Sequence, residues 1–175
     1  MAMVVFLRGA NVGGHRKFLP SVLAKEMVDF DVINVGAAGT FVVGKTIGQQ
    51  AVRAEFLRRL PFEAELVICP ARDLINLVSG KPFPGGPSDA GQRPYVSVLT
   101  KSPRTLPSLP LTKPTGDQWQ VKVIRVSGKF VLSLCRRLGG TLIYPNEVVE
   151  KSFGVSATTR NWNTISSICE ILKNK

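Results

Sequence analysis

The sequence has few of the side chains that bind metals or act as nucleophiles. Its 175 residues include one histidine, His15, and three cysteines, Cys69, Cys135 and Cys169. These residues lie too far apart for a zinc site, and an odd number of cysteines is a poor disulfide framework. No Gly-x-Ser-x-Gly elbow or Cys/His spacing stands out. We predict buried, inert thiols, no metal and no cofactor, and leave open whether the protein is an enzyme.

Long apolar runs are also missing. No run approaches the roughly 18 residues that a membrane-spanning helix needs. The N-terminal stretch MAMVVFLRG is too short for a signal peptide and lacks a basic start. With 44% apolar and 20% charged residues, the composition is that of a folded chain. We expect a cytoplasmic protein without a membrane partner, and leave its oligomeric state open.

Acidic residues are scarce in the second half of the chain. Residues 1–70 contain 8 Lys/Arg and 6 Asp/Glu, a net charge of +2, whereas residues 71–175 contain 15 and 6, a net charge of +9. Between Arg93 and Arg137 there are nine basic residues and one acid, Asp117. Such an excess favours nucleic acid or an anionic substrate as a partner. The alternative is that the cations only keep the surface soluble.

Strand-like and helix-like segments alternate over the first 70 residues. β-branched stretches at 3–8, 31–36, 39–44 and 64–70 predict strands. Apolar spacing predicts helices near 19–28 and over 47–60. The order β-α-β-β-α-β is that of a ferredoxin-like fold. We therefore predict an α+β protein whose first domain spans residues 1–80.

The second half is predicted to be a smaller, related α+β domain over residues 81–175. It begins with a Pro/Gly-rich loop, and the proline-rich segment 101–117 is not expected to form regular structure. The remaining segments are a strand over 95–100, a hairpin over 118–135, a helix ended by Gly154 and a closing helix from about residue 158. No sequence repeat links the two halves.

The glycine-rich stretch FLRGANVGG, residues 6–14, is the first candidate site. Its glycines allow backbone N–H groups to form a concave anion cradle, and Arg8 can bind phosphate or carboxylate through two hydrogen bonds. Neither a Gly-Lys-Ser/Thr ending nor the Gly-x-Gly-x-x-Gly spacing of dinucleotide folds occurs in this loop. The alternative is a strand–helix connection that needs positive φ angles.

The stretch TTRNWNT, residues 158–164, is the second candidate. Thr158 or Thr159 is predicted to cap the closing helix, which places Arg160 in the first turn, where the helix dipole disfavours a cation. An anionic ligand held by Arg160 would explain this placement, and so would an ion pair with a distant acid. Asn161 and Thr164 add hydrogen-bonding groups to the same turn.

Aromatic residues suggest a third possibility, base stacking. In RNA-recognition modules of the predicted topology, aromatic side chains on the first and third strands stack bases. Phe6 and Phe41 roughly occupy those places. Both strands are apolar on both faces, so we expect the sheet to be covered rather than open.

Motifs at both ends resemble a widespread bacterial family that is catalogued as a domain of unknown function. Its members begin with a strand and Leu-Arg-Gly-x-Asn-Val-Gly-Gly, and close with Thr-x-Arg-Asn-Trp-Asn-Thr. Where members have Ser-Gly-Asn before the third strand, this chain has Ala38-Gly39-Thr40. The resemblance implies an α+β fold with two related halves and no particular reaction. The positions that match its motifs are Arg8, Asn11, Gly13, Gly14, Arg160, Asn161, Trp162 and Thr164.

Three hypotheses follow for the function. The first is a pocket for a phosphate- or carboxylate-bearing small molecule, formed by the 9–17 loop and the start of the last helix. In that pocket Arg8 and Arg160 would hold the charge, and Asn11 and Asn161 would orient the ligand. The alternative is nucleic-acid binding by the basic 93–137 surface. In the third hypothesis, both motifs are structural and tie the two halves together by buried hydrogen bonds.

Overall fold

The computed structural model describes residues 1–9, 18–83, 91–140 and 142–175. They form two compact units, of which the first comprises Met1–Ser79 with Ser166–Lys175 and the second comprises Gly80–Ile165. From the sequence, all of 81–175 is expected to form the second domain, whereas the residues from Ser166 onward group with the first unit. No helix in the described part of the chain is long and apolar enough to cross a membrane.

The first unit is a four-stranded antiparallel sheet with helices. Its strands lie in the order β2-β3-β1-β4, which is the ferredoxin-like arrangement predicted from the sequence. In chain order, the elements are β1 (Met3–Arg8), α1 (Pro20–Glu26), a 3-10 helix (Val28–Phe30), β2 (Val32–Asn34), β3 (Thr40–Val43), α2 (Gln49–Arg59), β4 (Glu65–Pro70) and α3 (Ala71–Ser79).

Alternation along β1 divides its side chains between the two faces of the sheet. Val5 and Leu7 pack in one core cluster with α1 and α2, where the Phe41 and Phe56 rings meet edge-on at 5.1 Å. Phe6 points to the other face and is fully buried. Since successive strand residues point to opposite faces, burial of both faces explains why this strand is apolar from Met3 to Leu7.

The second unit contains a five-stranded antiparallel sheet in the order β6-β7-β8-β5-β9. One face of this sheet packs against α4 through Val148, Val149 and Phe153. The elements are β5 (Arg93–Leu99), β6 (Leu111–Lys113), β7 (Val121–Ser127), β8 (Phe130–Cys135), α4 (Pro145–Phe153), β9 (Ala157–Asn161) and α5 (Trp162–Lys173), which continues into the first unit.

The two units share one topology. Strands β7-β8-β5-β9 repeat the order of β2-β3-β1-β4, and α4 takes the place of α2 between the last two strands. In both units a helix follows the last strand without a loop, at Pro70–Ala71 and at Asn161–Trp162. The prediction of a second, related α+β half is therefore confirmed. No counterpart of α1 exists among the described residues of the second unit.

The proline-rich segment 101–117 takes the place of that helix. The prediction that it contains no regular structure is wrong for three residues, because β6 pairs with Val121–Val123 of β7. Pro110 and Pro114 flank the strand, and since proline has no N–H to donate, they limit β6 to Leu111–Lys113.

Candidate nucleic-acid interface

Arg8, the first predicted site residue, lies at the end of β1 opposite Glu65 of β4. Its Nη1 atom is 3.4 Å from Glu65 Oε2, and the two side chains are 34% and 46% exposed. A pair this exposed contributes at most about 1 kcal/mol to stability. Arg8 therefore already forms an ion pair with Glu65. Asn11, Gly13 and Gly14 lie outside the described residues, so the anion cradle stays a prediction.

Arg160 lies on a strand, not in the first turn of a helix. It belongs to β9, where it is opposite Val96, and α5 begins two residues later at Trp162. The prediction that Thr158 or Thr159 caps this helix is wrong. Arg160 therefore does not lie in the first turn of α5 and does not oppose its dipole; its charge is instead buried on a strand.

The guanidinium of Arg160 is buried and bonded to its own strand. The residue is 7% exposed, and its Nη1 donates hydrogen bonds to Thr158 Oγ1 at 2.7 Å and to the Thr159 carbonyl at 3.0 Å. Burial removes the charged form from water and lowers the pKa of Arg160 to about 10. Arg160 thus has structural partners within β9.

Asn161 and Thr164 form the N-cap of α5. Asn161 Oδ1 accepts hydrogen bonds from the Thr164 backbone N–H at 2.9 Å and from its hydroxyl at 3.1 Å. This is the bond that an N-cap side chain makes to the third helical residue. Trp162 packs edge-on against Phe83 at 5.0 Å. A shared role of these residues in binding an anionic small molecule stays a prediction.

The two phenylalanines considered for base stacking do not share a face. In the register of β1 with β3, Phe6 is opposite Thr40, whereas Phe41 is opposite Val5. Phe6 and Phe41 therefore point to opposite sides of the sheet, and both are fully buried. The stacking hypothesis for this pair is wrong.

A phosphate-loop pattern also occurs at residues 39–46, where GTFVVGKT matches Gly-x-x-x-x-Gly-Lys-Thr. In the structure, its four central residues form β3, so their backbone groups belong to the sheet and do not cradle a ligand. Lys45 lies 4.9 Å from the Phe30 ring centroid, and the N-terminal ammonium donates to Thr46 Oγ1. The sequence match therefore does not correspond to a phosphate-binding loop.

The cations between Arg93 and Arg137 differ from those of the first unit in their ion pairs. None of the nine Lys/Arg between Arg93 and Arg137 pairs with a carboxylate in the part of the chain that the structure describes. In the first unit, by contrast, carboxylates pair with Arg8, Arg58, Arg59, Arg72 and Lys175. Residues 80–165 contain 12 Lys/Arg and 4 Asp/Glu, a net charge of +8.

The hairpin of β7 and β8 concentrates this charge. Residues 121–137 contain no acid and five cations, which we call the hairpin cluster: Lys122, Arg125, Lys129, Arg136 and Arg137. A β-bulge between Val123 and Arg125 shifts the register, so that Arg125 faces the same side as Lys122, opposite α4. Lys122 and Arg125 lie on β7, Lys129 lies in the turn that follows, and Arg136 and Arg137 come directly after β8. At about 3.3 Å per residue, the cluster therefore extends along about 20 Å of the hairpin.

Trp119 organises one end of the hairpin cluster. The Arg136 guanidinium carbon lies 4.0 Å from the Trp119 ring centroid, and Lys122 Nζ lies 4.8 Å from it. Arg136 Nε donates a 2.7 Å hydrogen bond to the Trp119 carbonyl, and Nη2 donates to the Asp117 carbonyl. Trp119 itself is 7% exposed. Its ring therefore positions cations and is not open to a base.

Other candidate chemistry is sparse in the described residues. All three cysteines are free thiols, and burial raises the pKa of Cys135 to about 12 and that of Cys169 above its ordinary value. Thiols with raised pKa values are poor nucleophiles at neutral pH. The described residues contain no group of three or more His, Cys, Asp or Glu that could hold a metal ion.

Comparison with known proteins identifies a family and a fold. Residues 1–126 match a family described as "Protein of unknown function (DUF1697)". A solved structure, titled "The structure of conserved bacterial protein SP0830 from Streptococcus pneumoniae", is similar over 98% of each chain, with a TM-score of 0.59 and 15% identity. At this identity the likeness shows the fold alone, which is α+β as predicted. No curated protein matches the chain.

Proposed function

Because the chain belongs to the DUF1697 family, whose description assigns no function, we propose from the structure that it binds nucleic acid through the hairpin cluster. The binding is to backbone phosphates and does not depend on base sequence. The observation that carries the proposal is the group of five cations on β7, in the hairpin turn and directly after β8, which no described carboxylate neutralises.

A row of cations suits a linear polyanion for a physical reason. Each phosphate that a cation neutralises releases condensed counterions, and this release supplies most of sequence-independent binding. The cations of the cluster extend along about 20 Å of the hairpin, a distance over which several successive phosphates of one strand can be contacted. Ion pairs within the protein would have to be broken first, and the described part of the cluster has none.

The buried aromatic side chains support contact with phosphates and not with bases. Sequence-tolerant stacking needs an exposed ring, and base-specific recognition needs groups that reach base edges. Phe130 and Trp119, the aromatic residues nearest the hairpin cluster in sequence, are both 7% exposed. Neither of these two rings is open for stacking, so the proposal rests on charge.

Fluorescence anisotropy with a labelled 20-nucleotide oligothymidine tests the proposal. Each phosphate contact at about 0.1 M salt contributes about fivefold in affinity for single strands, from the exponent of about 0.7 per contact. Replacing Lys122 and Arg125 together by glutamine should thus weaken binding about 25-fold. The matched control replaces Lys25 and Lys45, two exposed cations of the first unit, and should leave affinity within about twofold.

Two results would contradict this proposal. One is the absence of measurable binding by the wild-type protein at low salt. The other is an equal loss of affinity in both double variants, because a uniform response would show that total charge, and not the hairpin cluster, determines binding. Oligothymidines and mixed sequences should bind alike, and a strong preference for one sequence would exclude recognition through phosphates alone.

The proposal includes a cytoplasmic location. The three free thiols support it, since disulfides rarely persist in that compartment. Fractionation of the producing cell should recover the protein with the cytoplasmic markers, and recovery in an oxidising compartment would contradict this part of the proposal.

A further inference from the structure

We infer that Arg136 forms a prearranged binding site for one phosphate group. Lys122 supplies a second positive charge, and the Trp119 ring contacts both cations. This inference rests on the proposed function and specifies which phosphate contact is geometrically defined. The ligand class is a phosphodiester of a nucleic acid, or the same oxyanion supplied as free phosphate.

Three contacts fix the Arg136 guanidinium. Its Nε donates to the Trp119 carbonyl at 2.7 Å, Nη2 donates to the Asp117 carbonyl, and the group lies 4.0 Å from the centre of the Trp119 ring. Ordering a free arginine side chain on binding costs conformational entropy. Because these contacts already order Arg136, less of that cost is left when a ligand binds.

The contacts of Arg136 leave one edge of the guanidinium for a ligand. A guanidinium has five N–H donors, and within the described structure two of them are used, one on Nε and one on Nη2. The remaining donors are the two on Nη1 and one on Nη2. These donors lie at the Nη1–Nη2 end of the guanidinium, and the spacing between the two nitrogens matches the spacing between two oxygens of a phosphate. Arg136 is also partly exposed, so a ligand can reach this edge.

Lys122 supplies a second positive charge beside the same ring. Its Nζ is 4.8 Å from the Trp119 ring centroid, and no described carboxylate pairs with it or with Arg136. The two distances to the ring centre place the Lys122 and Arg136 charges at most about 9 Å apart. Cations this close repel each other, and a bound anion relieves that repulsion. The nearest acid in sequence, Asp117, contributes its carbonyl to Arg136 and makes no ion pair among the described residues.

Arg137 provides a matched comparison within the same chain. It is adjacent in sequence, carries the same charge and is exposed, but none of the described hydrogen bonds or ring contacts holds its side chain. If only net charge attracts phosphate, then Arg136 and Arg137 should be equivalent. If the fixed guanidinium is the site, they should differ.

Intrinsic fluorescence can report this site directly. The chain has two tryptophans, so replacing Trp162 by phenylalanine leaves Trp119 as the reporter. Inorganic phosphate and a thymidine dinucleotide, which contains one phosphodiester, should each give a saturable change in Trp119 emission. In this background, Arg136→Lys should weaken binding of both probes at least tenfold, whereas Arg137→Lys should change it less than twofold. Arg136→Lys keeps the charge and loses the two-donor edge.

Several outcomes would overturn the inference. Equal affinities in Arg136→Lys and its parent would show that the two-donor edge is not used, and equal losses in both lysine variants would show a diffuse charge effect. Binding of phosphate without binding of the dinucleotide would exclude nucleic acid as the source of the ligand. If Arg136→Lys lowers the melting temperature, Lys122→Met is the second test, since it leaves both carbonyl contacts of Arg136 intact and should still weaken binding.

The results also separate this inference from the proposed function. If oligothymidine binding is lost in the Lys122/Arg125 double variant but Arg136→Lys behaves as wild type, nucleic-acid binding stands and the fixed phosphate site is wrong. If the phosphate probes bind at Arg136 but no oligonucleotide binds, the site is right and the proposed function is wrong.

Discussion

Replacing Arg160 by methionine should change how the stability of the protein depends on pH. Arg160 is 7% exposed, and burial holds its pKa at about 10. In the unfolded chain the side chain returns to water, where an arginine titrates above about 12. Methionine has no charge and fills the space of the aliphatic part of the arginine, so Arg160→Met removes this titration while it keeps much of the buried volume.

The direction follows from proton binding in the two states. Between about pH 10 and 12 the unfolded wild type holds a proton on Arg160 that the folded state has lost, so the free energy of unfolding rises with pH. Below about pH 9 both states are protonated, and this contribution is constant. At pH 11, one unit above the folded pKa, the wild type should gain about 1 kcal/mol relative to its value at pH 8.

Denaturant unfolding followed by circular dichroism at several pH values from 8 to 11 measures this effect. The quantity to compare is the difference in unfolding free energy between the wild type and Arg160→Met, which cancels the titration of all other groups. That difference should shift in favour of the wild type by about 1 kcal/mol. Arg125→Met, at an exposed arginine, serves as the control. A difference that stays constant from pH 8 to 11 would refute the argument.

Two further predictions concern the ends of helices. Asn161→Ala removes the N-cap of α5 and should lower the free energy of unfolding by about 1 kcal/mol, or the melting temperature by about 2–4 °C. The control, Asn163→Ala, should have little effect. Equal effects of the two variants would contradict the capping role of Asn161. Gly154 ends α4 with a φ of +64°, and nothing lies within 4 Å of a Cβ added there. Gly154→Ala should still lower the free energy of unfolding by about 1 kcal/mol, because the left-handed conformation disfavours alanine. Gly139→Ala, the control, should leave the free energy of unfolding unchanged. An unchanged value for Gly154→Ala as well would show that the left-handed conformation carries no cost.

The fold of the first half could be predicted because its signals are local. Each strand of the first unit is a short β-branched segment, and each crossover helix has its own apolar spacing, so the order of elements is readable without knowledge of the partners. Strand order then follows from topology, since the β-α-β-β-α-β sequence has a common arrangement.

Parts of the second half could not be predicted in the same way. Strand β6 has three residues between prolines, and its pairing with β7 is a tertiary contact. Strand β9 runs directly into α5, so the helical spacing of the closing segment conceals it. One local signal was available, because Asn161 and Thr164 have the spacing of a cap and its third helical residue. That signal would have placed Arg160 outside the helix.

The candidate interface was visible in the sequence only as an excess of charge. The β-bulge that brings Arg125 to the side of Lys122 is not a feature of composition. Nor does the sequence show that Arg8 pairs with Glu65 while the cations of the hairpin cluster have no described carboxylate. Pairing depends on strand register, and register depends on the whole sheet.

The salt dependence of oligothymidine binding tests the central claim most directly. A plot of the logarithm of the association constant against the logarithm of salt concentration has a slope of about −0.7 per phosphate contact. Replacing Lys122 and Arg125 by glutamine should make that slope shallower by about 1.4, and the Lys25/Lys45 variant should keep the wild-type slope. Equal slopes in all three proteins would contradict the claim that the hairpin cluster contacts the nucleic-acid backbone.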